Sequence, residues 1–328
     1  MKKLLLPALL SLVILAACDS GSNTNNSGNK EEPEALQEAP VFVADSAYKY
    51  VEEQVAFGPR VPNTAEHRAT LDYLQSKLKQ FGATVRLQSF EADAYDGTTL
   101  ALSNVIASFY PEQKKRILLA AHWDTRHIAD KDSTDKTLPI DGANDGASGV
   151  GVLLEIARVL GAAAKQPNVG VDIILFDGED YGRPQDDPVY DGRHWYCLGS
   201  QYWANNKHQA NYFAFYGVLL DMVGDKDAVF PLEGASLRMA PSIQKKVWTI
   251  GNQLGYSQYF KFTEGPEIYD DHIPVNMDAT IPMVDIIDLR SATTFFPQHH
   301  THADNMDNIS PATLKAVGQT LVQVLYQE

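Results

Sequence analysis

Cysteine is scarce in this sequence, which has only Cys18 and Cys197 in 328 residues. Cys18 ends an N-terminal apolar segment that we expect to be an export signal, so one thiol remains for the folded part of the chain. A single thiol excludes an intramolecular disulfide, even in an oxidising compartment. It also excludes a zinc site built from several cysteines. We expect Cys197 to act as a small buried hydrophobic residue.

Basic residues are also few. The chain has 27 Lys and Arg against 42 Asp and Glu, a formal net charge of −15 at pH 7. This balance argues against nucleic acid or an anionic membrane surface as a partner. It suits a cationic ligand such as a free amino terminus. Beyond the first 18 residues no uninterrupted apolar run is long enough to span a bilayer.

The N-terminus carries an export pattern. Lys2 and Lys3 precede the apolar run LLLPALLSLVIL and then Leu-Ala-Ala-Cys18. The small residues before a cysteine resemble a bacterial lipobox, so we predict a lipoprotein signal peptide over residues 1–17 and a lipid on Cys18. The alternative is an ordinary signal cleaved elsewhere. Residues 18–39, rich in Ser, Asn, Gly and Glu, are predicted to be a flexible tether. The expected location is the periplasm, anchored to a membrane.

Residues 40–328 contain no second linker or repeat and are predicted to form one α/β domain. Several apolar runs have the length of strands buried on both faces, which is typical of a mostly parallel sheet. They alternate with helical patterns. The predicted strands include 84–90, 103–110, 116–121, 171–176, 216–223 and 281–289, and the predicted helices include 44–57, 64–81, 150–160, 241–254 and 311–325. We expect a monomer as the simplest state.

Acids and histidines stand where the predicted apolar strands end. In open α/β sheets this edge is where ligands bind. Each residue alone has an ordinary explanation; Asp145, for example, could be a turn or cap residue. Their recurrence instead indicates a metal site, and mixed Asp and His ligands suit Zn²⁺ with an open coordination position. The candidates are His122, Asp145, Glu179, Asp180, Asp221, Asp270 and His302. On chemistry alone, any histidine of Gln298-His-His-Thr-His302 could be the ligand.

An aromatic cluster follows the Phe-Asp-Gly-Glu-Asp turn. Its members are Trp195, Tyr196, Tyr202 and Trp203. Some of them must pack in the core. Trp195 stands on an irregular loop and could instead line a small apolar pocket next to the turn.

Six short motifs in order, HWD, GANDGASG, FDGED, LLDMVG, DDHIP and HTHADN, resemble the zinc-aminopeptidase-like superfamily and, within it, the animal-type glutaminyl cyclases. The resemblance runs from about Tyr48 to the C-terminus. It implies a twisted, mostly parallel sheet with helices on both faces. It also implies conversion of N-terminal glutamine of peptides and proteins to pyroglutamate, with release of ammonia. One Zn²⁺ is expected.

The resemblance also implies roles for individual residues. The zinc ligands fall on Asp145, Asp180 and His302. Glu179 falls on the general acid/base, with Asp221 and Asp270 as acids hydrogen-bonded to it. The chain departs from the animal cyclases at Asp180, where they carry Glu, and at Asp285, where they carry His.

Two other functions remain open at this point. A zinc aminopeptidase would use His122, Asp145 and Asp221 as a second metal site, with Glu179 activating a bridging water. A catalytically inert binding lipoprotein on the same fold would have lost Glu179 or a zinc ligand, and none is missing from this sequence.

Overall fold

The computed structural model describes residues 35–184, 186–189, 191–291 and 294–328. The predicted signal peptide, Cys18 and most of the predicted tether lie outside the described residues. Leu36–Glu328 forms one compact unit, which begins ahead of the predicted boundary at residue 40. The reason is contact with the last helix: the Gln37 N–H donates to Gln327 Oε1 at 3.0 Å, and Gln323 Nε2 donates to the Gln37 carbonyl at 2.9 Å.

The central sheet has six strands in the order β1-β2-β4-β3-β5-β8. The four strands β4, β3, β5 and β8 are mutually parallel, whereas β2 pairs antiparallel with β4 and β1 antiparallel with β2. The prediction of a mostly parallel sheet is confirmed. The strands of the chain are β1 Thr84–Asp93, β2 Thr99–Phe109, β3 Arg116–His122, β4 Gly170–Phe176, β5 Tyr216–Asp221, β6 Phe230–Leu232, β7 Phe260–Glu264, β8 Met283–Ile287, β9 Leu289–Ser291 and β10 Thr294–Phe295.

Helices cover both faces of this sheet, as the resemblance implies. Side chains alternate along β3: Ile117 and Leu119 join the larger core, and Leu118 and Ala120 join the smaller one. Residues of α1, α2, α3, α6 and α8 complete the larger core, and residues of α4 and α7 complete the smaller. The helices are α1 Ala44–Val55, α2 Ala65–Gln80, α3 Ala147–Ala162, α4 Leu198–Asn205, α5 Gly234–Met239, α6 Pro241–Gln253, α7 His272–Met277 and α8 Pro311–Gln327.

The parallel strands bring the candidate site residues to one edge of the sheet. In register, the last residue of β3, His122, pairs with Phe176 at the end of β4, and Asp221 ends β5 beside Ile287 of β8. The loops after these strands therefore meet at the carboxyl edge of the sheet. Among the helices of the described ranges, none is long and apolar enough to cross a membrane.

Candidate metal centre and active site

A cavity of about 390 Å³ opens at the carboxyl edge of the sheet. Five predicted site residues line it, and His122 lies directly beneath, within 3.2 Å of two of them. The lining includes the predicted Asp145, Glu179, Asp180, Asp221 and Asp270 together with Lys131, Tyr196, Ile268, Phe295, His299 and His300. Residues from loops far apart in sequence thus converge on one small volume.

Asp145, Asp180 and His300 form the candidate metal centre. His300 Nε2 lies 3.2 Å from Asp180 Oδ1 and 3.7 Å from Asp145 Oδ2. The Oδ2 atoms of both aspartates are buried and accept no hydrogen bond from the described residues. Unpaired carboxylate oxygens buried beside an imidazole nitrogen are costly without a cation. Ligand atoms of Asp145, His299 and His300 also lie within 4.8 Å of one another. Together with Asp180, which adjoins His300, they fit a zinc ion with an open position.

The structure corrects the predicted histidine from His302 to His300. His302 is partly exposed. Its ring Nε2 lies 3.3 Å from the Asp135 carbonyl oxygen, and its backbone N–H donates to Asp132 Oδ2 at 2.9 Å. These contacts hold its side chain on the 132–135 loop, away from Asp145. His300 instead adopts a left-handed backbone conformation, with φ 58°, and is buried against the aspartates.

Two buried carboxylates hold the loops that carry the ligands. Asp124 accepts the N–H groups of Glu179 and Asp180, each at 3.0 Å. Asp304 accepts those of Asn144 and Asp145 at 2.8 and 3.0 Å. Each carboxylate thereby fixes two successive peptide units.

From the sequence, Asp124 was identified only as part of the HWD motif, and Asp304 was missed. The nearest signal for Asp304 was its place in the HTHAD motif. Arg60, which is fully buried, was also missed; it donates to the carbonyls of Asp141 and Gly142 at 2.5 and 2.7 Å and so supports the turn before Asp145.

Gly146 links Asp145 to α3 and has φ 103°. A Cβ at this position would lie 2.4 Å from the Asp124 carbonyl oxygen. Only glycine combines this backbone conformation with so close an approach. Asp145 is therefore presented from a tight turn directly before the helix, as the glycine-rich sequence predicts.

His122 joins Asp145 to Asp221. Its Nε2 lies 3.2 Å from Asp145 Oδ1 and 3.2 Å from Asp221 Oδ1, and its Nδ1 lies 3.6 Å from Asp124 Oδ1. Burial, reinforced by the charges of Asp270 and Asp145, raises the pKa of Asp221 to about 7. Burial also raises the pKa of Asp145, but the bond to His122 and the neighbouring histidines outweigh it and hold that pKa below its usual range. The geometry of these three residues is compatible with a second ion, as the aminopeptidase alternative requires.

Glu179 is half-buried on the wall of the cavity. The thiol of Cys197 donates to its Oε1 at 3.3 Å. One carboxylate oxygen of Glu179, one of Asp270 and the Cys197 sulfur lie within 4.8 Å of one another. Removal from water raises the pKa of Glu179 well above its usual range; His122 opposes this increase and the charges of Asp180 and Asp270 add to it. A carboxyl group with a raised pKa suits proton transfer near neutral pH.

A buried network lies behind Asp270. Glu233 accepts the N–H groups of Ala235, Ser236 and Ile268 at 2.8, 2.6 and 2.8 Å, which anchors the loop that leads to Asp270. His272 Nε2 lies 3.3 Å from Glu233 Oε2, and its Nδ1 lies 3.9 Å from Asp285 Oδ2. Burial raises the pKa of Asp285, and the charge of Asp270 adds to this increase. Asp285, whose role the sequence left open, is thus part of the support of Asp270.

Trp195 does not line the cavity. Its indole N–H donates to Asp191, and the Arg183 guanidinium lies 5.7 Å from its ring. The neighbouring Tyr196 lines the cavity instead, and its hydroxyl donates to the Arg183 carbonyl at 2.7 Å. The structure therefore replaces the predicted tryptophan wall with Tyr196, because the Trp195 ring packs against Arg183 and Arg193 and bonds to Asp191 instead.

The model of peptidase family M28 matches residues 104–325. A glutaminyl cyclase from Bacteroides thetaiotaomicron, solved with N-acetylhistamine bound, is 52% identical; the match covers 89% of this chain and 100% of that one, with a TM-score of 0.85. A zinc-dependent exopeptidase from Parabacteroides distasonis is also 52% identical, with the same coverage and a TM-score of 0.86. A glutaminyl-peptide cyclotransferase-like protein of Bos taurus is 26% identical over 287 residues, 81% of this chain and 71% of its own length.

Proposed function

Since the chain belongs to peptidase family M28, we propose that its site performs the reaction of a zinc-dependent glutaminyl-peptide cyclotransferase. Within the family it is similar over most of its length to glutaminyl cyclases. The observation that carries the proposal is the position of Asp270. Its buried Oδ2 accepts no hydrogen bond from the described residues, and it stands beside Glu179 in a cavity that ends at Asp145, Asp180 and His300.

The reaction closes a five-membered lactam. The α-amino nitrogen of the N-terminal glutamine attacks the side-chain amide carbon, the new C–N bond forms, and the old bond to the amide nitrogen breaks with release of ammonia. Zinc held by Asp145, Asp180 and His300 would supply Lewis-acid polarisation of the amide carbonyl. A cavity of about 390 Å³ is large enough for one amino-acid residue and keeps the two reacting groups close.

Glu179 moves the proton in this scheme. As a carboxylate it takes a proton from the attacking α-amine, and as a carboxylic acid it returns one to the leaving nitrogen. Asp270 lies close enough to share the amine with Glu179. Asp221, which the resemblance implies is hydrogen-bonded to Glu179, instead lies 3.2 Å from His122 Nε2 and would orient that imidazole.

A second candidate is a two-metal aminopeptidase, which the group formed by His122, Asp145 and Asp221 favours. It shares Glu179 and the first metal centre, so the two functions differ in the product and in the number of ions. Asp270, whose carboxylate lies beside Glu179, has no task in water activation at a two-metal site, whereas an attacking amine gives it one.

The test uses the purified full-length protein in mild detergent with two peptides that differ only in their first residue, Gln or Leu. Mass and ammonia are followed with and without a zinc chelator. We expect chelator-sensitive loss of ammonia from the Gln peptide and an intact Leu peptide. Release of free leucine without ammonia would refute the cyclase and support the aminopeptidase.

We also propose that the enzyme acts outside the cytoplasm, anchored by a lipid on Cys18. The support is the N-terminal pattern of Lys2, Lys3, an apolar run and Leu-Ala-Ala-Cys. An exported cyclase would block the N-terminal glutamine of other exported peptides and proteins. Labelling of growing cells with a fatty-acid probe tests the anchor, and the label should be absent from Cys18→Ala.

A further inference from the structure

Cys197 contacts the Phe-Asp-Gly-Glu-Asp turn of residues 176–180, here called the catalytic turn, through both its backbone and its side chain. Its N–H donates to the Glu179 carbonyl at 2.9 Å, and the next N–H, of Leu198, donates to the Gly178 carbonyl at 3.0 Å. The thiol donates to Glu179 Oε1 at 3.3 Å. Cys197 is fully buried, and its backbone has φ 61° and ψ 34°, a left-handed conformation that is unfavourable for residues other than glycine. Such strain persists where the surroundings require it and is common at functional sites.

A second observation concerns the space beside this contact. Asp270 is 4% exposed, and its Oδ2 accepts no hydrogen bond from the described residues. One carboxylate oxygen of Glu179 lies within 4.8 Å of one oxygen of Asp270 and of the Cys197 sulfur. The two acids thus lie side by side, and an amine with two or three N–H groups is a ligand that can pair with both.

We propose that Cys197 is a positioning residue for the cyclisation. Its thiol holds Oε1 of Glu179 and thereby directs Oε2, together with Asp270 Oδ2, towards the α-amine of the substrate. This inference rests on the proposed function, because it assigns the amine to Glu179.

The chemistry of the thiol suits this task. Burial raises the pKa of Cys197 well above its usual range, and Glu179 adds to that increase, so the sulfur keeps its proton as a donor. A thiol is also a weak donor. Its single hydrogen bond orients the carboxylate, which a hydroxyl in the same place would also do.

The test compares Cys197→Ala, which removes the donor, with Cys197→Ser, which keeps one in the same place. Val247→Ala is the control for loss of buried volume, because Val247 is a fully buried residue of α6 in the larger core, outside the cavity lining. For each variant, kcat and KM on the Gln peptide are measured with zinc content and thermal unfolding midpoint. A hydrogen bond to a carboxylate is worth enough to change a rate by about tenfold. We expect kcat of Cys197→Ala to fall about tenfold at unchanged zinc content, with KM within about threefold. Cys197→Ser and Val247→Ala should stay within about threefold of the wild-type kcat.

Three results would overturn the inference. One is a wild-type kcat in zinc-loaded Cys197→Ala. Another is a folded, zinc-loaded Cys197→Ser with a kcat reduced more than tenfold, which would show that the sulfur atom matters and not the donated hydrogen; this variant decides the question even if the alanine variant does not fold. The third is an equal loss of kcat in Val247→Ala. A wild-type protein that does not cyclise the Gln peptide is a different failure, because it overturns the proposed function and with it the assignment of the amine to Glu179.

Discussion

Replacement of His300 by asparagine should weaken zinc binding strongly, whereas replacement of His302 should leave it nearly unchanged. The two histidines are two residues apart in the same turn, so each variant is the control for the other. His300 Nε2 lies 3.2 Å from Asp180 Oδ1. His302 is bonded to the 132–135 loop. Only the first substitution removes a ligand from the candidate metal centre.

The expected magnitude follows from the ligand count. Structural zinc sites with four protein ligands bind zinc with a free energy of about 10–16 kcal/mol, which is roughly 2.5 to 4 kcal/mol for each ligand. Loss of one of three ligands should therefore weaken zinc binding by roughly a hundredfold to a thousandfold. His302→Asn loses only contacts at a partly exposed loop, and we expect less than about a threefold change in affinity.

The assay is competition with a fluorescent zinc chelator, followed by activity on the Gln peptide as zinc is added back. His300→Asn should lose its zinc to the chelator at concentrations that leave the wild type and His302→Asn loaded. Excess zinc should restore part of its activity. Normal zinc affinity in His300→Asn, or loss of zinc from His302→Asn, would refute the assignment and return the ligand to the histidine that the sequence predicts.

Four further outcomes are expected. Glu179→Gln should keep its zinc and lose about 10²- to 10⁴-fold in kcat, the usual contribution of a positioned acid/base; substantial residual cyclisation would contradict its role. Asp124→Asn retains one carbonyl oxygen for two backbone N–H groups, so we expect a loss of about 1–3 kcal/mol in the free energy of unfolding by urea and a lower zinc affinity. His122→Asn should leave one zinc per chain by elemental analysis if the enzyme binds a single ion, whereas a fall from two zinc ions to one would favour the aminopeptidase. His208 accepts the indole N–H of Trp203 at 3.0 Å, and burial lowers its pKa from 6.5 to about 4. Since the unfolded chain protonates this histidine first as the pH falls, its contribution to stability is complete above about pH 6.5 and is lost between about pH 6.5 and 4. His208→Asn should show a smaller loss of unfolding free energy over that range, and an equal loss would exclude the effect.

The local pattern of the chain was sufficient for most of the fold. Apolar runs such as 171–176 are buried on both faces of a parallel sheet because that burial requires apolar side chains in both directions, a requirement visible in the sequence itself. Loops that follow such strands must meet at one edge. The convergence of Asp145, Glu179 and Asp221 on the cavity follows from that rule without knowledge of any contact.

Only the tertiary structure decided between residues close together in a loop. His300 and His302 are chemically equivalent, and the choice depends on a left-handed residue and on bonds to Asp132 and Asp135, which are about 170 positions away. Trp195 and Tyr196 differ in the same way: Trp195 bonds to Asp191 and packs against Arg193, and Tyr196 lines the cavity.

Long-range polar pairing explains the supporting residues that sequence reasoning missed. Asp304 and Glu233 act by accepting backbone N–H groups of distant loops, and a backbone donor leaves no mark in the sequence. Cys197 was predicted to be buried, which the structure confirms, but its bond to Glu179 exists only because α4 begins against the catalytic turn. Strand periodicity thus determined which segments carry the site, and the contacts between loops determined which atoms face it.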